Sequence, residues 1–400
     1  YSLRQGQRPR SYAALFLALQ TTSLGLFAAL DLIVFFVFFD LSIVGMYFII
    51  AGWGHGPGRR RSALLFFLYT FVGSLALLLG FIGLYVASDP HTFDIVALAA
   101  HPPLTGPGPT GPLILAAIAL GLAIKTPTVP FHTWLPPAHT DAPAAGSAVL
   151  AGILLKMGTF GFVRIAMPLL PDQWRAYAWV FIGVGVASVL YGALVALAQH
   201  NFKRLVAFTS VNHMGYILLA LGAAGLLGDD KAREVAVSGA MVQMVSHGLI
   251  TAALFLLAGV LLDRGSSYDM NRYGGLAALA PRFAAVTAVA AFASLGLPGF
   301  SGFIAEFQIL AGSLGPATPA AAVAALGIVL TAALMLWALH RLFLGAPRSQ
   351  LATTVTDLRP RELWAIVPLL AGSVLIGLYP QSLLDVITPA AHTLITMVGR

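Results

Sequence analysis

Leu113–Pro130 reads LILAAIALGLAIKTPTVP. The apolar run stops at Lys125 after thirteen residues. At the helical rise that is roughly 20 Å, and a hydrocarbon core is about 30 Å thick. One helix of this length cannot cross, and Pro127 and Pro130 withdraw the backbone donors that would extend it. The stretch predicts a helix broken inside a membrane, with a lysine at the break.

The rest of the chain has the matching composition. Apolar residues make up 58% and charged residues 9%, against roughly 25% charged in a soluble domain. Spans need about 20 apolar residues, and eleven segments supply them: 11–30, 32–53, 62–88, 113–135, 144–170, 174–198, 202–227, 235–262, 283–314, 319–344 and 363–388. The sequence predicts an all-α polytopic membrane protein, one transmembrane domain over 1–400. The connection at 89–112, rich in Pro, Gly and His, reads as a surface excursion. The chain starts at Tyr1 on a basic segment with no signal-peptide pattern, and is expected to be a fragment.

Loop charge predicts the orientation. With the N-terminus cytoplasmic, fifteen Arg and Lys residues fall on the cytoplasmic side, among them Arg4, Arg59, Lys203, Arg264 and Arg361. Five fall opposite: Arg164, Arg175, Lys231, Arg233 and Arg400. This bias accounts for the net charge of +7 better than nucleic-acid binding does. The absence of cysteine removes iron–sulfur clusters, thiolate metal sites and c-type haem from this chain. No dinucleotide-binding fingerprint is present.

A second interruption lies about 170 residues after the first. The run from Phe283 to Leu295 is cut by Gly296, Pro298, Gly299 and Gly302 before Phe303–Leu314 resumes. A single break would read as a proline kink for packing. Two breaks at matching places in five-span halves, each beside a charge, point to an inverted-repeat transporter. The repeats are expected over 11–170 and 174–344, with a C-terminal helix over 363–388. Because each half has an odd number of spans, the halves run in opposite directions.

Charged groups inside spans are the candidate functional residues. A charge at bilayer centre costs about 2.5–3.5 kcal/mol on insertion scales, yet two of the four lysines, Lys125 and Lys156, lie there with Asp40 and Glu306. Counting residues from the span ends puts Asp40, Lys125, Lys156, His213, His247 and Glu306 near one depth. Such a row runs parallel to the membrane, from one half to the other. A lysine beside a carboxylate can switch its proton when the partner's charge moves. Histidine titrates near neutrality and suits a relay. The competing readings are snorkelling for Lys125, local hydrogen bonding for Asp40, a structural pair for Lys156, a helix cap for Glu306, and satisfied core residues for His213 and His247. His132 and His139, flanking Trp134, read as interfacial.

LAIKTPTVPFHTWLPPAHTDAPAAGSAVLAGILLKMGTFGFVRI resembles the core signature of the antiporter-like subunits of respiratory complex I and of the Mrp cation/proton antiporters. HNFKRLVAFTSVNHMGY, MVQMVSHGLITAALFLLAG and ASLGLPGFSGFIAEFQIL continue the match in order. Within the family the M-type branch fits best, since the L, N and Mrp chains usually carry lysine where this chain has Glu306. The family has about fourteen spans, so the resemblance implies that three N-terminal helices are missing.

The resemblance implies roles for the same residues. Asp40 takes the place of the first half's key glutamate, one methylene shorter, and Lys125 is its partner. Lys156 is the central lysine, His213 and His247 connect, and Glu306 is the terminal protonatable group. The implied function is proton pumping in an NADH–quinone oxidoreductase, with no cofactor in this chain. The implied partners are L and N membrane-arm neighbours, the lipid bilayer and protons, in a bacterial plasma membrane. A sodium/proton antiporter subunit, a membrane-hydrogenase subunit and a structural membrane arm remain as alternatives.

Overall fold

The computed structural model describes residues 8–106, 108–348 and 355–399. Arg4 and Arg400, counted in the charge bias, lie outside these residues, as do both ends of the 1–400 domain. Among the described residues the chain is helical, with two isolated bridges, Asp31–Asp94 and Asn201–Asp269, as its only β pairing.

The first half comprises α1 (Pro9–Phe27), α2 (Leu32–Trp53), α3 (Arg59–Ala87), the short α4 (Ile95–Ala100) and α5 (Thr110–Lys125). The short α6 (Leu135–Asp141) and α7 (Ala144–Leu169) follow. The second half comprises the short α8 (Pro171–Ala176), α9 (Ala178–Leu197), α10 (Phe202–Gly225), α11 (Asp230–Gly265), the short α12 (Leu276–Leu279), α13 (Pro281–Ser294) and α14 (Ser301–Phe343). The C-terminal helices are α15 (Pro360–Leu378) and α16 (Gln381–Gly399). Nine of the described helices are long and apolar enough to cross a membrane, and α5 and α13 are the shorter apolar ones. Those two are the broken helices expected from the sequence.

Helix starts are set by short acidic and amide side chains. Asp31 accepts from the amides of Ile33 and Val34, Asp94 from Val96 and Ala97, and Asn201 from Arg204. Each satisfies donors that a helix start leaves open. The core is centred on α10, in which every residue from Leu205 to Gly225 is buried. Outward, Val34, Val37, Leu41, Val44 and Phe48 of α2 and Val323, Leu326 and Val329 of α14 are exposed. Apolar faces of this extent belong against lipid or another apolar surface.

One boundary differs from the sequence reading. The segment expected as one helix over 363–388 is two, α15 and α16, separated at Tyr379–Pro380. Hydropathy averages across such a turn, although Pro380 marks it in the sequence. The spans expected at 283–314 and 319–344 do meet at a division: α14 is two helices joined across a kink at Ala317, whose backbone is non-helical, between Pro316 and Pro319. The 89–112 excursion holds α4 and is pinned by Asp172, which accepts from the Gly106 amide at 2.9 Å and pairs with Arg175.

The Gly106 amide and then Arg175 hold the Asp172 carboxyl below its usual range. A depressed native value stabilises above the unfolded value and is lost as pH falls through the native one. Asp172→Asn should therefore speed hydrogen exchange at Gly106 at neutral pH. The parent protein should approach that behaviour only as pH falls through the lowered Asp172 value. Equal exchange in the two at neutral pH would show that Asp172 does not pin the loop.

Candidate functional site

The first break ends on Lys125, buried to 1% exposure at the C-terminus of α5. The carbonyls left open there find partners nearby. The Trp134 indole donates to Ile124 O at 2.9 Å, and the Thr128 amide donates to Ala123 O at 3.2 Å. The Lys125 ammonium donates to Ser42 Oγ of α2 at 2.9 Å and lies 4.6 Å from the Phe39 ring centroid. Asp40, half-buried on the same helix, has Ser74 of α3 within hydrogen-bonding reach and feels the Lys125 charge. Among the described residues no ion pair within 4.0 Å joins them. The lysine is held by Ser42 and a ring face, with the carboxylate one step away.

Lys156, His213 and His247 each lie within a residue of the middle of their helices, α7, α10 and α11. Lys156 stands between two π-helical turns, Leu150–Leu154 and Phe162–Ala166. Its ammonium donates to Ala151 O, inside the first turn, at 2.6 Å and lies 2.5 Å from His247 Nδ1. π turns inside α-helices recur at functional sites. The helices meet here over small residues: a Cβ on Gly248 would stand 2.9 Å from Gly152 O. Such contacts let membrane helices approach closely.

His247 and His213 meet edge to face, ring centroids 5.5 Å apart. His213 Nδ1 lies 3.2 Å from Glu306 Oε1 and 3.0 Å from Gln243 Nε2. One ring nitrogen cannot serve both at once. A neutral Nδ1 accepts from the Gln243 amide, and a protonated one donates to Glu306. The second break supplies the room for Glu306. Gly296 has φ +77, and a Cβ there would stand 2.9 Å from Glu306 Oε2.

The structure thus brings Lys156, His247, His213 and Glu306 into one chain of contacts. Lys125 and Asp40 form a second group on α2 and α5. Thr126 lies between the groups; its hydroxyl has no partner among the described residues and is close enough to Gly158 of α7 to clash with an added Cβ.

A scan of family models matches residues 29–331 to the family described as NADH:quinone oxidoreductase/Mrp antiporter, TM. The chain belongs to this family. NADH-quinone oxidoreductase subunit M of Rickettsia typhi is 39% identical over 380 residues, covering 94% of this chain and 74% of that one. The subunit of the same name from Rhodobacter capsulatus is 38% identical over 398 residues, 97% of this chain and 76% of that one. Among solved structures, a chain of respiratory complex I from Thermus thermophilus with bound NADH superposes with a TM-score of 0.89 at 34% identity, covering 97% of this chain and 80% of that one. A chain of the Mrp complex from Dietzia sp. DQ12-45-1b follows at 0.82 and 25%, covering 97% and 79%.

Several residues differ from their sequence reading. His132 and His139, expected at the interface, are buried within the protein: His139 stacks on Phe255 at 4.4 Å, and His132 packs edge-on to Tyr191. Lys203, counted as a loop charge, is fully buried and donates to Ala142 O at 2.5 Å, tying α10 to the end of α6. Ser42, Ser74, Thr126 and Gln243 join the site only in the structure. Gln243 had a signal, since it lies one helical turn before His247. Ser42 and Ser74 had none, because a serine in a span usually bonds back to its own helix.

Gly248→Ala should push α11 from α7 and lengthen the Lys156–His247 contact. A misplacement of about 1 Å at a reacting pair can cost up to roughly 100-fold. Proton movement in vesicles should fall steeply at an unchanged amount of assembled protein. An unchanged rate would mean that the close contact is not needed.

Proposed function

We infer that this chain is a proton-translocating, M-type membrane subunit of an NADH–quinone oxidoreductase, holding no redox group itself. The observation that carries this reading is that buried titratable side chains stand at both broken helices, Lys125 at the first and a contact chain from Lys156 to Glu306 at the second. Quinone reduction elsewhere in the complex would change the charge at one end. At an effective dielectric near 20, moving a unit charge from about 8 to about 4 Å changes the interaction by roughly 2 kcal/mol, or about 30-fold in proton affinity. A shift of Asp40 toward or away from Lys125 is enough to load or release that lysine.

The proton affinity would then pass to Lys156, through His247 and His213, to Glu306. Lys156 donating to His247 Nδ1 is one state of this chain, and His213 donating to Glu306 is another. In our reading the repeats over 11–170 and 174–344 each contribute one broken helix. The chain would sit in a bacterial plasma membrane between the L and N antiporter-like neighbours. The complex I and Mrp likenesses make a sodium/proton antiporter subunit the second reading.

Lys125→Ala should abolish NADH-driven proton pumping in inverted vesicles while the complex still assembles. Unchanged pumping would overturn the assignment. Proton movement that needs only an imposed sodium gradient, and no NADH, would favour the antiporter reading.

A further inference from the structure

Most buried hydroxyls of the described helices bond back to their own helix: Ser23 to Leu19 O, Ser42 to Phe39 O, Ser188 to Val184 O, Thr287 to Phe283 O. Three serines on three different helices bond to one another instead. Ser246 Oγ of α11 lies 2.8 Å from Ser301 Oγ of α14, which lies 2.8 Å from Ser373 Oγ of α15. All three are buried. In both contacts either oxygen can be the donor.

The inner end of this chain is the histidine site. Ser246 lines a small cavity together with His213, His247, Gln243 and Gly302. His247 Nδ1 is committed to Lys156, and its Nε2 meets no partner among the described residues. The outer end is the second break. Ser301 opens α14, its amide donates to Ser373 Oγ at 3.4 Å, and Gly377, one turn beyond Ser373, packs on Gly299. The neighbouring Leu297 and Pro298 are exposed.

We propose that Ser246, Ser301 and Ser373 form a hydroxyl relay that carries protons between the histidine cavity and the outer flank of the second broken helix, as a branch separate from Glu306. The proposal rests on the proton-translocation reading above. Each hydroxyl has one donor and two acceptor lone pairs. In one passage each oxygen takes a proton from the inner side and passes its own outward. One proton leaves the histidine cavity, one is delivered beyond Ser373 to water, and rotation of the three hydroxyls resets the chain. No electrons move.

The test uses the assembled enzyme in inverted vesicles, with pumping read per NADH oxidised and the solvent deuterium isotope effect measured beside it. Ser373→Thr and Ser373→Val have nearly the same shape and differ by the hydroxyl. At equal assembly, Ser373→Thr should pump like the parent, and Ser373→Val should lose the share of pumping that this branch carries, with a changed isotope effect. Ser301→Ala should match Ser373→Val. If Ser301→Ala fails to assemble, the Ser373 pair alone decides. Equal pumping and equal isotope effects in Ser373→Thr and Ser373→Val would overturn the relay and leave three packing serines. Lys156→Ala separates this failure from that of the parent reading. If Lys156→Ala is inactive and Ser373→Val pumps normally, the relay alone is wrong; if Lys156→Ala also pumps normally, the charged row is wrong.

Discussion

A helix that stops halfway through lipid leaves carbonyls without partners, and hydrocarbon offers none. Each unsatisfied group costs several kcal/mol, so a break survives only where protein supplies the missing donors. At the end of α5 the Trp134 indole and the Thr128 amide do so. At the end of α13 the Leu297 amide turns back to Phe292 O. Those local solutions set the Lys125 ammonium against Ser42 of α2 and Glu306 against Gly296. The fold is arranged around two such defects, with Lys125 at one and Glu306 at the other.

The same reasoning governs the side chains. A lone buried charge is expensive, and removing one partner of a buried pair is strongly destabilising. Here the charges share their partners. Lys156 is held by a backbone carbonyl and an imidazole, His213 by an amide and a carboxylate, and Lys125 by a hydroxyl and a ring face. None of these is a closed Lys–carboxylate pair. Such a pair would lock the charge in place, whereas weaker and divided contacts leave each group free to change its proton without stranding a partner. The Arg264–Glu362 pair at 2.5 Å is the contrast: buried and closed, it ties the end of α11 to the start of α15.

Small residues and irregular turns bring the two halves into register. The Gly152–Gly248 crossing lets Lys156 reach His247, and the π turns on either side of Lys156 reshape its helix locally. The serines of α11, α14 and α15 extend the polar interior from the histidines toward the second break.

Sequence alone determined the class and the two breaks, and it named the candidate residues. Those follow from local quantities: run length against membrane thickness, prolines and glycines that interrupt a run, and charges where charge is costly. It placed Lys125 at the end of its half-helix and His213 and His247 at mid-helix, because helical rise turns a residue count into depth. Only the tertiary structure decided which partners those residues take. Ser42 and not Asp40 receives the Lys125 ammonium, Gln243 shares the His213 nitrogen, and Lys203 turns inward to Ala142 instead of marking a loop. The division of the C-terminal segment at Tyr379–Pro380 does have a local signal in Pro380, which the apolar run masks. Depth along a helix is a one-dimensional property of the chain; the azimuth of a side chain and the identity of the helix it faces are set by packing, which composition and spacing do not encode.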